Sequence, residues 1–358
     1  MKPIRINGGG LAGLSLGVCL RHKNIPVEIH EKGNYPRHKV CGEFICGITE
    51  KTLAQLQIDT LFADALTHHD ISWWMGNKQL LTESLPEPAL GISRHTLDER
   101  LADVFQRNGG QLILGKRISS DNNPSDGCVW ATGKPANPKT NKPEWIGIKI
   151  HAVNTHLNGL HMHSSTRGIS GSKGGYMGLA EVENNRVNCC GLFHVRSNIR
   201  PTGARARWDN PAAVIMAYAE ACGMTKLLEL MESWDYDPNS FTATAGFALG
   251  LQEKQPGFSL GDAAWLIPPF TGNGMSMAME SSAIAAGWLE KYSAGDINWH
   301  EAEHGYRYDC NNHFSRRMKL SKLMHPLLFN FPGQQILKAS SKTKTLPFQS
   351  IFSQLRKP

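Results

Sequence analysis

The hexapeptide Gly8-Gly9-Gly10-Leu11-Ala12-Gly13 has the spacing G-x-G-x-x-G and follows a short apolar run, residues 2–6, that reads as a buried strand. Residues 11–24 continue as a helix of small and apolar residues and residues 26–31 as a second strand, so the glycines sit at a strand-to-helix turn. Each then has its own use. Gly8 allows the tight turn, Gly10 lets the backbone approach a pyrophosphate, and Gly13 lets the helix close on the strand. The helix start offers unpaired N–H groups and a positive dipole end to the phosphates. Glu31, eighteen residues past Gly13 at the end of the second strand, is placed to accept hydrogen bonds from ribose hydroxyls. This unit serves NAD and FAD equally.

A second constellation separates the two. Gly261-Asp262-Ala263-Ala264 is followed by Pro268-Pro269-Phe270-Thr271-Gly272-Asn273-Gly274, which opens a long helix. Asp262 at a strand end suits a ribityl or phosphate-adjacent hydroxyl. Gly272, Asn273 and Gly274 bring backbone N–H groups and a helix N-terminus against a flat ring, where the dipole stabilises the negative charge of a reduced flavin. FAD is the cofactor this pair of motifs selects.

The elements that must position these residues are dispersed along the chain. After the opening βαβ unit, residues 91–94 end a strand and meet a helix over 95–108, with Asp98 and Glu99 in its first turn. Short strands follow at 111–114 and 127–132, the latter ending at Thr132, a further cofactor candidate. From Trp145 the pattern changes to short strands at 147–152, 159–163, 176–182 and 188–194, which predict an antiparallel sheet. Helices over 211–222 and 226–234, strands at 240–246 and 258–260, and a helix over 274–292 complete the body; residues 49–81 read as mixed. The fold class is α/β: a Rossmann-like FAD/NAD(P)-binding domain from 1–48, 90–144 and 245–295, interleaved with a β-rich substrate domain from 49–89 and 145–244, and finished by C-terminal helices over 296–358.

Composition agrees with a globular chain: of 358 residues, 41% are hydrophobic and 19% charged. The uncharged runs 6–20 and 263–279 carry Gly and Pro in patterns unlike a signal peptide or a membrane span, and a cytoplasmic location is expected. The eight Cys contain no CxxC pair, so reduced thiols fit that compartment. The net charge is +7, and residues 310–358 hold nine Lys or Arg and no acid. A basic tail on a near-neutral body argues against nucleic acid as partner. It fits either a solvated helix or a contact with an acidic carrier protein or a membrane surface. His151, His156, His161 and His163 cluster in the middle of the chain, but no carboxylate or Cys stands at ligand spacing beside them, and no metal site is expected.

With both motifs in place, the chain resembles the FAD-dependent oxidoreductases of the glutathione-reductase-like superfamily, in the branch of aromatic hydroxylases, geranylgeranyl reductases and flavin-dependent halogenases. The segment Tyr35-Pro36-Arg37-His38-Lys39-Val40-Cys41-Gly42-Glu43 is similar to that branch's P-R-x-K-x-C-G loop. The resemblance implies that Arg37 contacts FAD and that Cys41 and Gly42 lie near the flavin, with Cys41 as the one thiol of catalytic interest. Ser93-Arg94, then Leu97 and Leu101, is similar to the R-x-x-L-x-x-x-L helix start whose Arg lies near the cofactor; from the residues alone Arg94 is equally a surface residue. The hydroxylases' Asp-Gly at the end of the 128–133 strand is replaced by Thr132-Gly133, and the halogenase W-x-W-x-I-P is absent. NAD(P)H is therefore only one possible electron donor. The resemblance implies first a monooxygenase that hydroxylates or epoxidises a small apolar, aromatic or polyketide-like molecule through a C4a-peroxyflavin. The alternatives are a reductase or dehydrogenase of C=C bonds and a flavin-bearing electron carrier.

Overall fold

Two four-residue strands, Ile4–Asn7 (β1) and Val27–His30 (β2), are too short to be stable alone and are buried except at Arg5 and Glu28, which pair at 3.3 Å, in a computed structural model of the chain. The structure describes residues 1–116, 118, 125–134, 145–166, 174–194, 210–245, 257–268, 272–329, 331–343 and 347–356. Between β1 and β2 runs Leu11–His22 (α1), buried from Leu11 to Leu20 because it lies between the sheet and other helices. The remaining strands of this parallel sheet arrive late: β6 (Gln111–Ile113), β7 (Cys128–Trp130) and β13 (Phe258–Ser259), in the order β13-β7-β1-β2-β6.

The second sheet has eight strands in the order β12-β8-β11-β10-β9-β4-β5-β3. They are β3 (Phe44–Ile45), β4 (Leu66–Met75), β5 (Lys78–Gly91), β8 (Trp145–Val153), β9 (Leu160–Ser164), β10 (Gly175–Val182), β11 (Arg186–His194) and β12 (Asp235–Ala245). The four strands expected to form an antiparallel sheet, β8 to β11, do pair antiparallel, and β4, from the stretch read as mixed, joins β9 in parallel because the chain leaves for β6 and β7 between them. The mixed stretch 49–81 resolves into α2 (Glu50–Leu56), a 3-10 turn and most of a long β4–β5 hairpin. Pro86 and Pro88 lie where the β4–β5 register shifts, the place in a sheet that tolerates a missing N–H.

Helices close both faces of this sheet. α4 (Pro211–Ala221) and α5 (Thr225–Met231) cover Ile148, Ile150, Met177 and Leu179. α3 (Arg94–Arg107) and α6 (Gly274–Ala294) flank α1 in the other domain, and Ser282 Oγ donates to Ala12 O at 2.8 Å. The C-terminal segment forms α7 (Trp299–Phe329), α8 (Phe331–Thr343) and α9 (Phe348–Arg356). It is not the solvated helix its charge suggested. Tyr306, Cys310 and Phe314 are buried beneath α7, and Arg317, 1% exposed, pairs with Glu280 of α6 at 3.0 Å. Leu337 of α8 and Phe348 of α9 pack on the second face of the eight-stranded sheet, against Trp73 and Tyr176 and against Ile71 and Ala180. The ends of the basic stretch at Lys344 and Lys357, the sheet end at Gly246, and Pro269, Phe270 and Thr271 lie outside the described residues.

All eight Cys are free thiols. Cys189 belongs to the core packing beneath α4 and α5, whereas Cys190, on the opposite strand face, lies near Cys41 and Glu43. Among the described residues no helix is long and apolar enough to cross a membrane.

Two glycines set opposite expectations. A Cβ on Gly13 would lie 2.0 Å from Gly8 O, whereas one on Gly287, inside α6, meets nothing within 4 Å. Gly13→Ala should therefore cost roughly 1–3 kcal/mol. Gly287→Ala should gain roughly 0.5–1 kcal/mol through helix propensity. Equilibrium urea unfolding of both variants measures each sign.

Candidate active site

The glycine loop at the start of α1 is shaped by contact. Gly8 has φ +112°, and a Cβ there would lie 2.3 Å from Ala131 O and 2.9 Å from Thr132 N, so the loop presses on the end of β7 where Thr132 sits. Gly10, by contrast, faces open space: the nearest atom to an added Cβ is Lys39 Nζ at 3.8 Å. An ammonium thus stands over the N-terminal end of α1, where dipole and charge both favour an anion.

Glu31, buried, already accepts from Gly9 N at 2.9 Å and Gly33 N at 2.9 Å and pairs with Arg37 at 2.9 Å. Burial opposes its charge, but Gly33 and Arg37 outweigh it and hold the carboxyl below its usual range. A carboxylate has about four lone-pair sites, so one on Oε2 stays available to a ribose hydroxyl. Arg37 lies against this carboxylate.

Arg94 begins α3, one residue earlier than the sequence indicated, with Ser93 as N-cap accepting from Thr96 N. That shift corrects the role of Asp98. It is fully buried and forms a bidentate pair with Arg94, at 2.7 and 2.9 Å, while Lys39 Nζ lies 2.8 Å away. Burial works against all three charges; for Arg94 the Asp98 carboxylate overrides it and keeps the guanidinium ionised, whereas burial still lowers Lys39. Arg94 also donates to the Cys41 sulfur, yet burial pushes the Cys41 thiol up, so it is protonated at neutral pH.

Asp262, in the 3-10 turn Gly261–Ala263, is exposed to solvent while protein crowds around it, as for a residue at the mouth of a cleft. This crowding pushes its carboxyl up to about 6, against the pull of Arg94 and Lys134. Burial in turn lowers Lys134 to about 8, with Asp262 opposing. Gly42 and Gly272 meet at the Phe44 ring, where an added Cβ would lie 2.8 and 2.4 Å from ring carbons, and Cys46 N bonds to Gly272 O at 3.4 Å. The Cys41–Gly42 turn therefore lies beside the start of α6. There Asn273 is fully buried with neither end of its amide hydrogen-bonded, and a Cβ on Gly274 would meet nothing within 4 Å.

The sequence missed what lies beneath this turn. Glu43, with φ +56° and no solvent exposure, accepts from Arg94 N at 3.0 Å. It is 3.3 Å from Lys149 Nζ and 2.6 Å from His151 Nε2, both on β8 and both fully buried. Burial would raise its pKa; Lys149 and His151 override this and hold it at about 2. Lys149 Nζ also meets His38 Nδ1 at 2.9 Å, and burial next to that ammonium lowers His38 to about 4. His38, Glu43 and His151 would pass for a metal triad by spacing, but the Lys149 ammonium bonds to two of the three and supplies the cation itself. A signal did exist: an isolated Lys in the apolar alternation of residues 146–152. Elsewhere, a cavity of about 620 Å³ between α2, α6 and α7, lined by Gln55, Ile284 and Trp288, contains none of these residues.

No family model and no curated protein matches the chain. Among solved structures it is similar to a flavin-dependent brominase, with 15% identity, a TM-score of 0.69, and 99% of this chain and 94% of that one covered. It is also similar to a geranylgeranyl bacteriochlorophyll reductase-like protein from Thermoplasma acidophilum, with 14% identity, a TM-score of 0.71, and 99% and 95% covered. A 2-methyl-3-hydroxypyridine-5-carboxylic acid oxygenase gives 16% identity, a TM-score of 0.64, and 94% and 93% covered. The chain thus has the α/β fold shared by these proteins.

Lys149→Met would leave Glu43 buried with its strongest countercharge removed, at a cost of about 3–5 kcal/mol. Glu43→Gln combined with Lys149→Met removes both charges and should recover most of that loss. Denaturant unfolding of the two variants checks the pair; equal losses would mean the ions are not coupled.

Proposed function

We propose that the chain is an FAD-dependent oxidoreductase, first of all a monooxygenase acting on a small apolar, aromatic or polyketide-like molecule. The observation that carries the FAD assignment is the start of α6, where a fully buried Asn273 amide lacks hydrogen-bond partners next to the open face of Gly274. Buried amides without partners are rare in native proteins and mark a place built for a further polar group. The pyrimidine edge of a flavin carries both donors and acceptors and fits that amide.

The other residues fit the rest of the cofactor. The α1 N-terminus at Gly8, Gly10 and Gly13, with Lys39 above it, would hold the pyrophosphate, and the free lone pair of Glu31 a ribose hydroxyl. Asp262 would accept from the ribityl chain, with Arg94 and Lys134 around it, Thr132 would line the cofactor beside Gly8, and Gly272, Asn273 and Gly274 would carry the ring. Bound there, FAD supplies electron transfer to oxygen or to a C=C bond. The chain's own part is to bind it, exclude water and hold protons. The sheet face that carries Trp73, Met162, Tyr176 and Leu192 is packed under Leu337 of α8 as core, so the apolar class of the substrate rests on the resemblance of the sequence motifs. NAD(P)H stays one candidate donor among others, since the Asp-Gly that serves it in the hydroxylases is replaced by Thr132-Gly133, and the cytoplasm, which keeps thiols reduced, is the proposed location.

Cys41 favours a second reading, reduction of a C=C bond: its thiol is kept protonated by burial and so holds a proton beside Gly42.

One measurement tests the flavin site common to both readings and a second separates them. Asp262→Ala removes a charge-assisted hydrogen bond and should weaken flavin retention roughly 10- to 150-fold. Full yellow colour in that variant after purification would overturn the motif assignment. Because Asp262 is ionised only above about 6, wild-type flavin release should increase as pH falls through that value, and Asp262→Asn should flatten the dependence. Flavin fluorescence in the filtrate reports both. Rapid mixing of the reduced, FAD-loaded protein with oxygenated buffer addresses the reaction. A transient absorbance distinct from reduced and oxidised flavin, with labelled oxygen in the product, supports monooxygenation; direct reoxidation without label shifts the assignment to the reductase.

A further inference from the structure

The first turn of α3 is capped by a side chain from the eight-stranded sheet. Ser93 is the N-cap and accepts from Thr96 N at 3.1 Å, which is half of a capping box. The other half is an acceptor for the N–H of the cap residue itself, usually a Glu or Gln three positions on. Here that position is Thr96, which offers a hydroxyl in place of a carboxylate. Glu183, ninety residues away and 8% exposed, takes the part: Ser93 N donates to its Oε2 at 2.9 Å, and the hydroxyls of Ser93 and Thr96 both donate to its Oε1.

Glu183 is held in place by its own strand. It follows Val182, the last residue of β10, and the chain reverses into β11 directly after it through Asn184 and Asn185, at φ +64° and +53°. The end of β10 also presses on the segment that enters α3. A Cβ on Gly91 would lie 2.4 Å from Glu181 O and 2.6 Å from His68 Nε2, and His68 Nε2 bonds to Glu181 O at 2.8 Å. From the Cys41–Gly42 turn, Glu43 accepts Ile92 N on its carbonyl at 3.1 Å and Arg94 N on its carboxylate at 3.0 Å. Two glutamates therefore fill the N–H groups of residues 93 and 94, whereas Gly10 and Gly274, at the starts of α1 and α6, face open space. The start of α3 is thus a closed mount for Arg94, whose guanidinium meets Asp98 and the Cys41 sulfur and draws on the charge of Asp262.

We propose that Glu183 is a positioning residue of the flavin site: from the end of β10 it fixes the first turn of α3, and with it the reach of Arg94 to Asp98 and Cys41. The role rests on the proposed place of Arg94 beside the flavin, and it makes the β10–β11 hairpin part of what sets that place.

The test is a double-mutant cycle on the full-length, FAD-loaded protein, with flavin retention read from fluorescence in the filtrate and the surroundings of bound flavin from its visible circular dichroism. Glu183→Ala should weaken retention roughly three- to thirtyfold, the range of a lost N-cap, and change the visible signal. In an Arg94→Ala background the same substitution should have little further effect, because residues in one network are not additive. Glu183→Gln, which keeps one acceptor oxygen, should recover part of the retention. Far-ultraviolet circular dichroism checks that each variant is folded, and Arg94→Lys serves as the background where Arg94→Ala is not. Unchanged retention in Glu183→Ala, additive losses in the cycle, or lower thermal stability with an unaltered visible signal overturns the positioning role. If Arg94→Ala retains flavin like the wild type while Asp262→Ala loses it, the positioning role falls and the flavin site stands. If neither variant loses flavin, the flavin site itself is misassigned and the positioning role falls with it.

Discussion

Glu43 is a carboxylate with no water to solvate it, and moving such an ion out of water carries a penalty of several kcal/mol unless the protein compensates it in place. The compensation comes from three directions: the backbone N–H of Arg94 at the start of α3, and Lys149 and His151 from β8. Its own backbone is the continuation of the Cys41–Gly42 turn, in a left-handed conformation that non-glycine residues rarely adopt. One side chain therefore fixes where helix α3, the turn and the eight-stranded sheet meet. Asn188 adds a fourth tie by donating to Cys41 O at 2.9 Å.

Around this anchor the charges alternate without leaving an isolated ion. Lys39 and Arg94 share Asp98, Arg37 faces Glu31, and Lys134 faces Asp262. Cations outnumber anions only slightly, so a bound dianion would enter a field that is pre-arranged without being strongly attractive. Selection then rests on shape and on directed donors, which are the features the glycine turns provide.

What could be read from the sequence was whatever the backbone needs locally. The glycines of residues 8–13 and 272–274 are required by contacts with chain segments or open space that their spacing encodes, and the parallel strands show as apolar runs. Pairings across distance were not readable. Lys149 lies more than a hundred residues from Glu43, and in a strand of alternating character it reads as an outward-facing residue. Asp98 reads as a dipole-stabilising acid unless the helix is known to start at Arg94. The α7 face was misjudged for a related reason: Arg317 counts as surface charge until Glu280, on a different helix, is seen to neutralise it. The β4–β5 hairpin was not read from the mixed stretch 49–81, and its strand β5 accommodates Pro86 and Pro88 only through the register shift.

The order of the parallel sheet has a consequence for biosynthesis. β1 and α1 emerge from the ribosome first, but β7 arrives with residue 128 and β13 with residue 258, and α6 is the helix that covers α1. At about 5–20 residues per second, the opening βαβ unit waits roughly 11–46 s for its last strand. During that interval the apolar faces of α1, β1 and β2 are uncovered, while the more local β8–β11 hairpins can pair as soon as they are made. The nascent chain is thus most dependent on chaperone protection at its oldest end, and completion of the parallel sheet becomes the closing event of its maturation.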